Sequence, residues 1–200
     1  MNVLNLYAGK GGNRKHWKNV TVTAVEFDKD IAEVYQKLYP NDTVIVGDAL
    51  EYLEKHYKEF DFIWASPPCQ SHSQYRHNVG VIGKGFNPIM PDMSLYAIIV
   101  FLKTYYVGKY AVENVVPYYD YLIQPTIVLQ RHPFWTNFDI SPKEFPKDSI
   151  RNKNKISDFD DYEIIAKSKI KNKRQVLRNC VLPEIGEYIF ELAKKDMGLC

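Results

Sequence analysis

The sequence VLNLYAGKGG, residues 3–12, joins a short run of β-favouring residues to a glycine-rich turn. A second β-favouring run, TVTAVE at residues 21–26, leads into residues 28–40, where apolar side chains recur with helical spacing until a proline ends the pattern. A strand, a glycine turn and a strand–helix unit in this order are typical of a parallel α/β sheet.

The alternation of strands and helices continues along the chain. Further strands are predicted at residues 43–46, 61–65 and 109–113, and further helices at 49–57, 94–106 and 183–195. Residues 128–138 favour strands around Pro133, which is consistent with an edge strand or a hairpin. Residues 70–92 hold three glycines and two prolines and predict a lid or binding loop, whereas residues 143–173 are polar, Lys-rich and without clear periodicity. We therefore predict an α/β fold with a doubly wound, mostly parallel sheet.

Composition indicates an ordinary globular protein. The 200 residues are 46% hydrophobic and 25% charged, enough for one domain with a real core. The net charge of +2 does not by itself indicate a nucleic-acid partner, but residues 167–178 hold six basic residues and no acidic one. The longest apolar stretch, residues 95–102, is too short to cross a bilayer, so no membrane association is expected. Because Cys69, Cys180 and Cys200 cannot all pair and no secretory signal is recognisable, we expect reduced thiols in a cytoplasmic protein.

Polar features follow the first three predicted strands. The glycine turn permits close approach of a ligand to the backbone, Glu26 ends the second strand, and Asp48 follows the third. The carboxyl ends of parallel strands form the usual ligand crevice, where a carboxylate can bond both ribose hydroxyls of a nucleoside and Phe27 can cover an adenine. An ordinary tight turn with surface acids would explain the same residues. A nicotinamide-binding turn would carry G-x-G-x-x-G, which this turn does not complete.

The fourth predicted strand is followed by SPPCQSHS, residues 66–73. Lone cysteines are usually inert small hydrophobes, but the two prolines hold Cys69 rigidly at the mouth of the sheet, as is more typical of a nucleophile. The fifth strand ends in Glu113-Asn114-Val115. If the two strands are neighbours, a thiol and a carboxyl group face one pocket. This pairing suits covalent addition to an electron-poor ring, with the acid protonating the ring nitrogen.

These motifs resemble those of the cytosine-C5 DNA methyltransferase family. Residues 5–12 (NLYAGKGG) resemble its D-L-F-A-G-x-G-G loop, and residues 67–73 (PPCQSHS) match its P-P-C-Q-x-x-S loop. Residues 113–115 match its E-N-V signature, and residues 178–181 (RNCV) resemble its G-N-A-V segment. The resemblance implies the Rossmann-like fold of S-adenosylmethionine-dependent methyltransferases, S-adenosylmethionine as cofactor with S-adenosylhomocysteine as product, and no metal.

The resemblance also implies roles for individual residues. Cys69 adds to C6 of a flipped cytosine while Glu113 contacts N3 and the amino group. The family's Q-x-R-x-R segment is reduced here to Gln130-Arg131-His132, with Arg131 as the candidate for holding the base and Glu113. The implied cofactor residues are Tyr7, Ala8, Gly9, Gly11, Glu26, Phe27, Asp48, Ala49, Pro68, Leu95, Asn179 and Val181. Candidate nucleic-acid contacts are Gln70, Ser73, Arg76, Lys84, Arg151 and Lys153.

The family's target-recognition domain is nearly absent. Residues 1–138 and 175–200 form the predicted catalytic, cofactor-binding domain, and residues 139–174 form a reduced basic region that is not an independent domain. That region fits either a solvated loop or a phosphate-contacting surface without sequence discrimination. We predict a DNA (cytosine-5)-methyltransferase of short or relaxed specificity, as in a phage or bacterial restriction–modification system, acting alone, as a dimer or with a partner protein. The alternatives are RNA (tRNA) cytosine-C5 methylation and a catalytically silent nucleic-acid-binding relative, although a silent protein has no chemical reason to keep both Cys69 and Glu113.

Overall fold

A computed structural model describes residues 1–146, 161–178 and 181–199. Five residues singled out above lie outside the described ranges: Arg151, Lys153, Asn179, Cys180 and Cys200.

A seven-stranded sheet forms the centre of the molecule. Its strands are β1 (Asn2–Leu6), β2 (Thr21–Glu26), β3 (Thr43–Val46), β4 (Phe62–Ala65), β5 (Lys109–Glu113), β6 (Ile127–Leu129) and β7 (His132–Thr136). Their order is β3-β2-β1-β4-β5-β7-β6. Strands β1 to β5 pair with one another in parallel, while β7 is antiparallel to both β5 and β6. The predicted α/β fold with a mostly parallel sheet is confirmed.

Helices cover both faces of the sheet, as expected for a doubly wound fold. They are α1 (Lys29–Leu38), α2 (Ala49–His56), α3 (Ser94–Tyr105), α4 (Tyr162–Ala166), α5 (Lys173–Arg178) and α6 (Pro183–Asp196). One core layer joins the sheet to α2 and α3, and the other joins it to α6 and Trp17. Because β4 is covered on both sides, all four of its residues are buried. Among the described helices, none has the length and apolar character needed to span a membrane.

The strand order creates a ligand crevice at a defined place. From β1 the chain moves outward to β2 and β3, and then returns to place β4 on the other side of β1. Ligands of open α/β sheets bind at the carboxyl ends of the strands where the order switches in this way. The glycine turn follows β1 and the Cys69 loop follows β4, so both predicted site segments flank the switch point.

Two segments depart from the sequence-based expectations. Residues 70–92 are not all loop, because Arg76–Ile82 form a short helical segment. Within residues 143–173, of which 143–146 and 161–173 are described, α4 is helical and packs with α5 against α1. Its buried contacts include Ile165 and Leu177, so residues 161–178 do not form a solvated loop. Helices of 5 and 6 residues are too short to show a periodicity in the sequence.

Candidate active site

Glu26 ties the end of β2 to the glycine turn after β1. One carboxylate oxygen, Oε2, accepts a hydrogen bond from the Gly9 backbone N–H at 2.9 Å, and Oε1 accepts one from the Asp28 N–H at 3.0 Å. Burial raises the pKa of this carboxyl group above its usual value, and hydrogen bonds from the backbone of Asp28, Gly9 and Phe27 oppose that shift. Glu26 therefore lies at the crevice with its carboxylate already oriented, although each oxygen has a further lone pair for a ligand.

The glycine turn is shaped for close approach. Tyr7 leaves the strand with a φ of 54°, and Gly9 has a φ of 56°, a left-handed conformation that glycine adopts without steric cost. A Cβ built on Gly9 would meet no atom within 4 Å, so open space lies above the turn. At Gly11 the opposite holds, because a Cβ there would lie 2.4 Å from a ring carbon of Tyr39. Gly11 is required by packing, whereas Gly9 is open to a ligand.

The surroundings of the turn fit an S-adenosylmethionine molecule. The Phe27 ring is 77% exposed beside Glu26 and is available to cover an adenine. Burial raises the pKa of Tyr7 to about 12, and the carboxylates of Asp48 and Asp92 add to that shift. These two acids therefore lie near the turn and make it electronegative, which suits a cationic sulfonium. Asp48 also caps α2, where its Oδ1 accepts from the N–H groups of residues 50 and 51.

A buried asparagine fixes the nucleophile loop to the end of β5. The Asn114 side-chain amide donates to the Pro67 carbonyl at 3.0 Å, and its Oδ1 accepts from the Val115 N–H at 2.9 Å. The loop then turns at Cys69, whose carbonyl accepts from the N–H groups of His72 and Ser73, each at 3.1 Å. β4 and β5 are paired neighbours, as the sequence predicted. Cys69 and Glu113 are thus held on adjoining strand ends.

The thiol of Cys69 is protonated in this state at neutral pH. Its pKa is raised from 9.0 to about 11, mainly by burial and to a smaller extent by the negative charge of Glu113. The guanidinium of Arg131 lowers it and so partly offsets both causes. The thiol therefore interacts electrostatically with both Glu113 and Arg131. A thiolate, the nucleophilic form, must therefore form during the reaction or on substrate binding.

His132 holds the carboxylate of Glu113. Its Nδ1 lies 2.6 Å from Glu113 Oε1, and the two residues are only 6% and 7% exposed. The contact joins the first residue of β7 to the last residue of β5 across the antiparallel pair. The family motif has arginines in this segment, so the role of holding Glu113 was predicted for Arg131 and not for His132. Only the strand pairing shows that the histidine faces the carboxylate.

The helical segment Arg76–Ile82 is tied to the residues that follow β5. The His77 ring stacks on Tyr118 with centroids 4.5 Å apart, and the Tyr118 N–H donates to the carbonyl of His72 at 3.0 Å. Arg76, a predicted phosphate contact, is half-buried and donates to the Asn87 carbonyl at 3.1 Å. The first turn of the segment is therefore anchored in this conformation.

Other predicted site residues differ in exposure. Gln70, Lys84 and Pro68 are exposed at or beyond the nucleophile loop, and Ser73 is half-buried. Ala8, Ala49, Leu95 and Val181 are buried among core side chains. Val181 lies in the core layer of α6 and Trp17, so a contact with a cofactor would have to come from its main chain.

The described part of the basic region touches the glycine turn. Lys10, within the turn, forms an ion pair with Asp161, just before α4. Residues 161–178 therefore connect to the crevice through this pair as well as through the packing of α4 and α5 on α1.

Comparison with known proteins finds a family similarity in the N-terminal part of the chain. Residues 1–87 match the family model of C-5 cytosine-specific DNA methylases. The methylase match contains the glycine turn, Glu26 and Cys69, and it supports methyl transfer with S-adenosylmethionine as donor.

Several solved structures are similar to part of the protein. A hypothetical protein of Thermus thermophilus is 15% identical, with 68% of this chain and 73% of that chain covered and a TM-score of 0.47. A putative DNA modification methyltransferase from an E. coli prophage is 22% identical, with 60% of this chain and 33% of that chain covered and a TM-score of 0.38. A mutant of Spodoptera frugiperda DNMT2 is also 22% identical, with 57% of this chain and 35% of that chain covered and a TM-score of 0.40. The chain thus spans about a third of the length of these two methyltransferases. No curated protein matches the sequence.

Two buried histidine contacts of the site region cannot be read from the sequence. The first is His132 on Glu113. The second is His72, which is fully buried and whose Nδ1 lies 2.5 Å from the Tyr119 hydroxyl. A histidine three residues after the predicted nucleophile was a visible signal, but its partner lies 47 positions away in the sequence.

Proposed function

We propose that the protein transfers a methyl group from S-adenosylmethionine to C5 of cytosine in DNA, with Cys69 as the covalent nucleophile. The observation that carries the proposal is the placement of Cys69 and Glu113 on adjoining strand ends, close enough for the carboxylate to raise the thiol pKa. A nucleophile and an acid side by side are what addition to C6 and protonation at N3 require.

The chain's own residues supply binding, attack and protonation. S-adenosylmethionine supplies an electrophilic methyl group when it is bound. Gly9, Glu26 and Phe27 would hold it at the switch point, with the glycine turn against the methionine part and the aromatic ring over the adenine. The Cys69 sulfur forms a bond to C6 of a flipped cytosine, while Glu113 holds a proton at N3, so that C5 gains electron density. Once C5 has taken the methyl group, its proton passes to water and the C6–S electron pair returns to the Cys69 sulfur as the ring double bond re-forms. N3 then returns its proton to Glu113.

The region between Asp139 and Arg174 is proposed to contact phosphates rather than to read bases. Lys167, Lys169 and Lys171 are exposed between α4 and α5, and residues 167–178 include no acidic residue. Phosphate contacts position a nucleic acid without discriminating its sequence, which suits a short or relaxed target. We propose that sharper specificity, where it exists, comes from a dimer or a partner protein.

The test is methyl transfer from tritiated S-adenosylmethionine. The protein is incubated separately with duplex DNA, single-stranded DNA and RNA, beside Cys69→Ala and the exposed-surface variant Asn41→Ala. We expect label in DNA with the wild type and Asn41→Ala, and none with Cys69→Ala. Label in RNA alone would replace DNA by RNA as the substrate. Intact S-adenosylmethionine binding with no label in any polymer would favour the silent relative.

Trapping identifies the nucleophile independently. DNA that contains 5-fluorocytosine cannot lose the group at C5, so the covalent adduct should persist through denaturation when cofactor is present. The adduct should be absent with Cys69→Ser. An adduct that forms equally well with this variant would show that another residue attacks the base.

A further inference from the structure

Exposed apolar side chains are concentrated in the segment that follows the nucleophile loop. In the part of the chain that the structure describes, sixteen large hydrophobic residues are exposed, and seven of them lie within residues 75–93: Tyr75, Val79, Ile82, Phe86, Ile89, Met90 and Met93. These seven residues are called the 75–93 surface. Exposed apolar side chains grouped in this way are typical of a site where another molecule binds.

The charge of the same segment favours an anionic partner. Residues 62–91 contain no aspartate or glutamate, whereas Arg76 and Lys84 are cationic. The next acid in the sequence, Asp92, is tied back to the nucleophile loop, because its backbone N–H donates to the Ser71 hydroxyl at 2.9 Å. A second copy of this chain could cover the apolar side chains, but only a polyanion also gains from the two cations and from the absence of acids.

One aromatic ring of the 75–93 surface is held in place although half of it is exposed. The Phe86 ring packs over Gly80, where a Cβ would lie 2.9 Å from a ring carbon, and the Phe86 N–H donates to the Gly80 carbonyl at 3.0 Å. Phe86 nevertheless keeps 51% of its surface exposed, and Tyr75, beside Arg76, keeps 73%. A ring that is already fixed loses little conformational freedom when a planar group stacks on it.

The 75–93 surface adjoins the proposed nucleophile. A shallow pocket lies between them, and its walls include Gln70 from the loop around Cys69 and Ile89 from the surface. Tyr118, on which the His77 ring stacks, forms another wall. A strand whose cytosine reaches Cys69 therefore brings its neighbouring nucleotides to this surface.

We propose that the 75–93 surface binds the unpaired bases that flank the target cytosine in single-stranded DNA, with Tyr75 and Phe86 as stacking residues and Lys84 beside the phosphates. The inference rests on the proposed function, because it concerns the strand that is methylated. In a duplex the base faces are stacked on one another, whereas unpaired bases offer their faces to exposed rings. Stacking accepts every base, and an unpaired cytosine costs least to turn into the active site.

Binding is measured by fluorescence anisotropy without S-adenosylmethionine. The probes are a short labelled DNA strand with one cytosine, the same strand with abasic sites on both sides of that cytosine, and the corresponding duplex. The intact strand should bind most tightly, although the abasic strand has the same phosphates. Tyr75→Ala and Phe86→Ala should each weaken binding of the intact strand by roughly fivefold to a hundredfold and should have little effect on the abasic strand. The same strand made of RNA shows whether the surface prefers one sugar, and the ring variants should weaken its binding as well.

Conservative variants separate stacking from local packing. Tyr75→Phe keeps the ring and should bind like the wild type. Phe86→Leu keeps an apolar side chain over Gly80 but removes the ring, so it should bind as weakly as Phe86→Ala. The matched control is Tyr105→Ala, which removes a ring that is 61% exposed at the end of α3 and should leave binding unchanged. Lys84→Gln should lower the dependence of log affinity on log salt by about 0.7, whereas the ring variants should keep the wild-type slope.

Two results would overturn the inference and leave the proposed function in place. The first is equal affinity for the intact and abasic strands, or ring variants that bind as the wild type does. The second is a wild-type dimer that dissociates in sedimentation of the Tyr75→Ala/Phe86→Ala variant, because a second copy would then cover the surface. Methylation of duplex DNA could still occur in either case. Conversely, base-dependent binding that the ring variants weaken, with no label in any polymer, would remove the proposed function and support the binding surface.

Discussion

The state of the Cys69 thiol can be tested without any substrate. With a pKa of about 11 rather than 9.0, the thiolate fraction at pH 7.5 is about 3 × 10⁻⁴ instead of about 3 × 10⁻². The hundredfold deficit is partly offset, because a more basic thiolate attacks a disulfide faster, by roughly eightfold for a Brønsted coefficient of about 0.45. We therefore expect Cys69 to react with an aromatic disulfide about tenfold more slowly than an unperturbed thiol.

The assay uses a Cys180→Ser/Cys200→Ser background, so that Cys69 is the one thiol present. The reaction with the disulfide is followed by absorbance from pH 7 to pH 10, with circular dichroism to confirm that the fold persists. Restricted access to the buried thiol lowers the reaction rate by the same factor at every pH, so it does not change the shape of the plot of rate against pH. We expect the base-10 logarithm of the reaction rate to rise by about one for each pH unit up to pH 10 without levelling off.

Two neighbouring substitutions should change the rate in opposite directions. Glu113→Gln removes a negative charge that raises the pKa of Cys69, so this variant should react faster at pH 7.5. Arg131→Gln removes a positive charge that lowers it, so this variant should react more slowly. A wild-type profile that levels off below pH 9, or the same direction of change in both variants, would refute the electrostatic account of the site.

Three further predictions concern binding and packing. Asn114→Ala leaves the Pro67 carbonyl and a backbone N–H without partners, so methyl transfer should fall and unfolding in urea should become easier by about 1–3 kcal/mol. Glu26→Gln replaces a carboxylate at the crevice, and S-adenosylmethionine affinity by calorimetry should fall roughly tenfold to a hundredfold. Gly186→Ala would place a Cβ 2.4 Å from the Asn13 carbonyl oxygen, which should lower the free energy of unfolding by about 1–3 kcal/mol.

Each of these has a matched control. Asn41→Ala and Glu33→Gln change exposed side chains and should leave activity and cofactor affinity unaltered. Gly47→Ala adds a Cβ whose nearest neighbour lies 4.0 Å away, so its stability should stay near that of the wild type. Full activity in Asn114→Ala would show that the loop after β4 does not depend on β5 for its position. Equal cofactor affinity in Glu26→Gln would remove Glu26 from the binding site.

The strands of this protein were predictable because their signals are local. The bounds of β2, β3 and β5 agree with the sequence-based prediction, since each is a β-favouring run between polar or glycine-containing segments. The end of β1 was placed one residue too late, at Tyr7, because its left-handed φ cannot be read from residue type. The site was predictable where the chemistry lies on consecutive residues, as in the loop around Cys69.

The parts of the fold and of the site that could not be predicted depend on contacts between segments distant in the sequence. The hairpin of β6 and β7 was expected as one alternative, but its docking on β5 decides that His132 faces Glu113. In the same way, α4 and α5 are helical because their few apolar side chains meet α1. Neither helix is long enough for its own pattern to specify it, so tertiary packing supplies most of its stability.

The alkylation profile of Cys69 also separates the two causes of its raised pKa. Alkylation needs the thiolate alone, so its rate should keep rising toward pH 11. Burial is the larger cause and Glu113→Gln leaves it in place, so the variant should lower the pKa of Cys69 only in part. A Glu113→Gln profile that levels off at the pH of an unperturbed thiol would show instead that the carboxylate, and not burial, sets the pKa of the thiol.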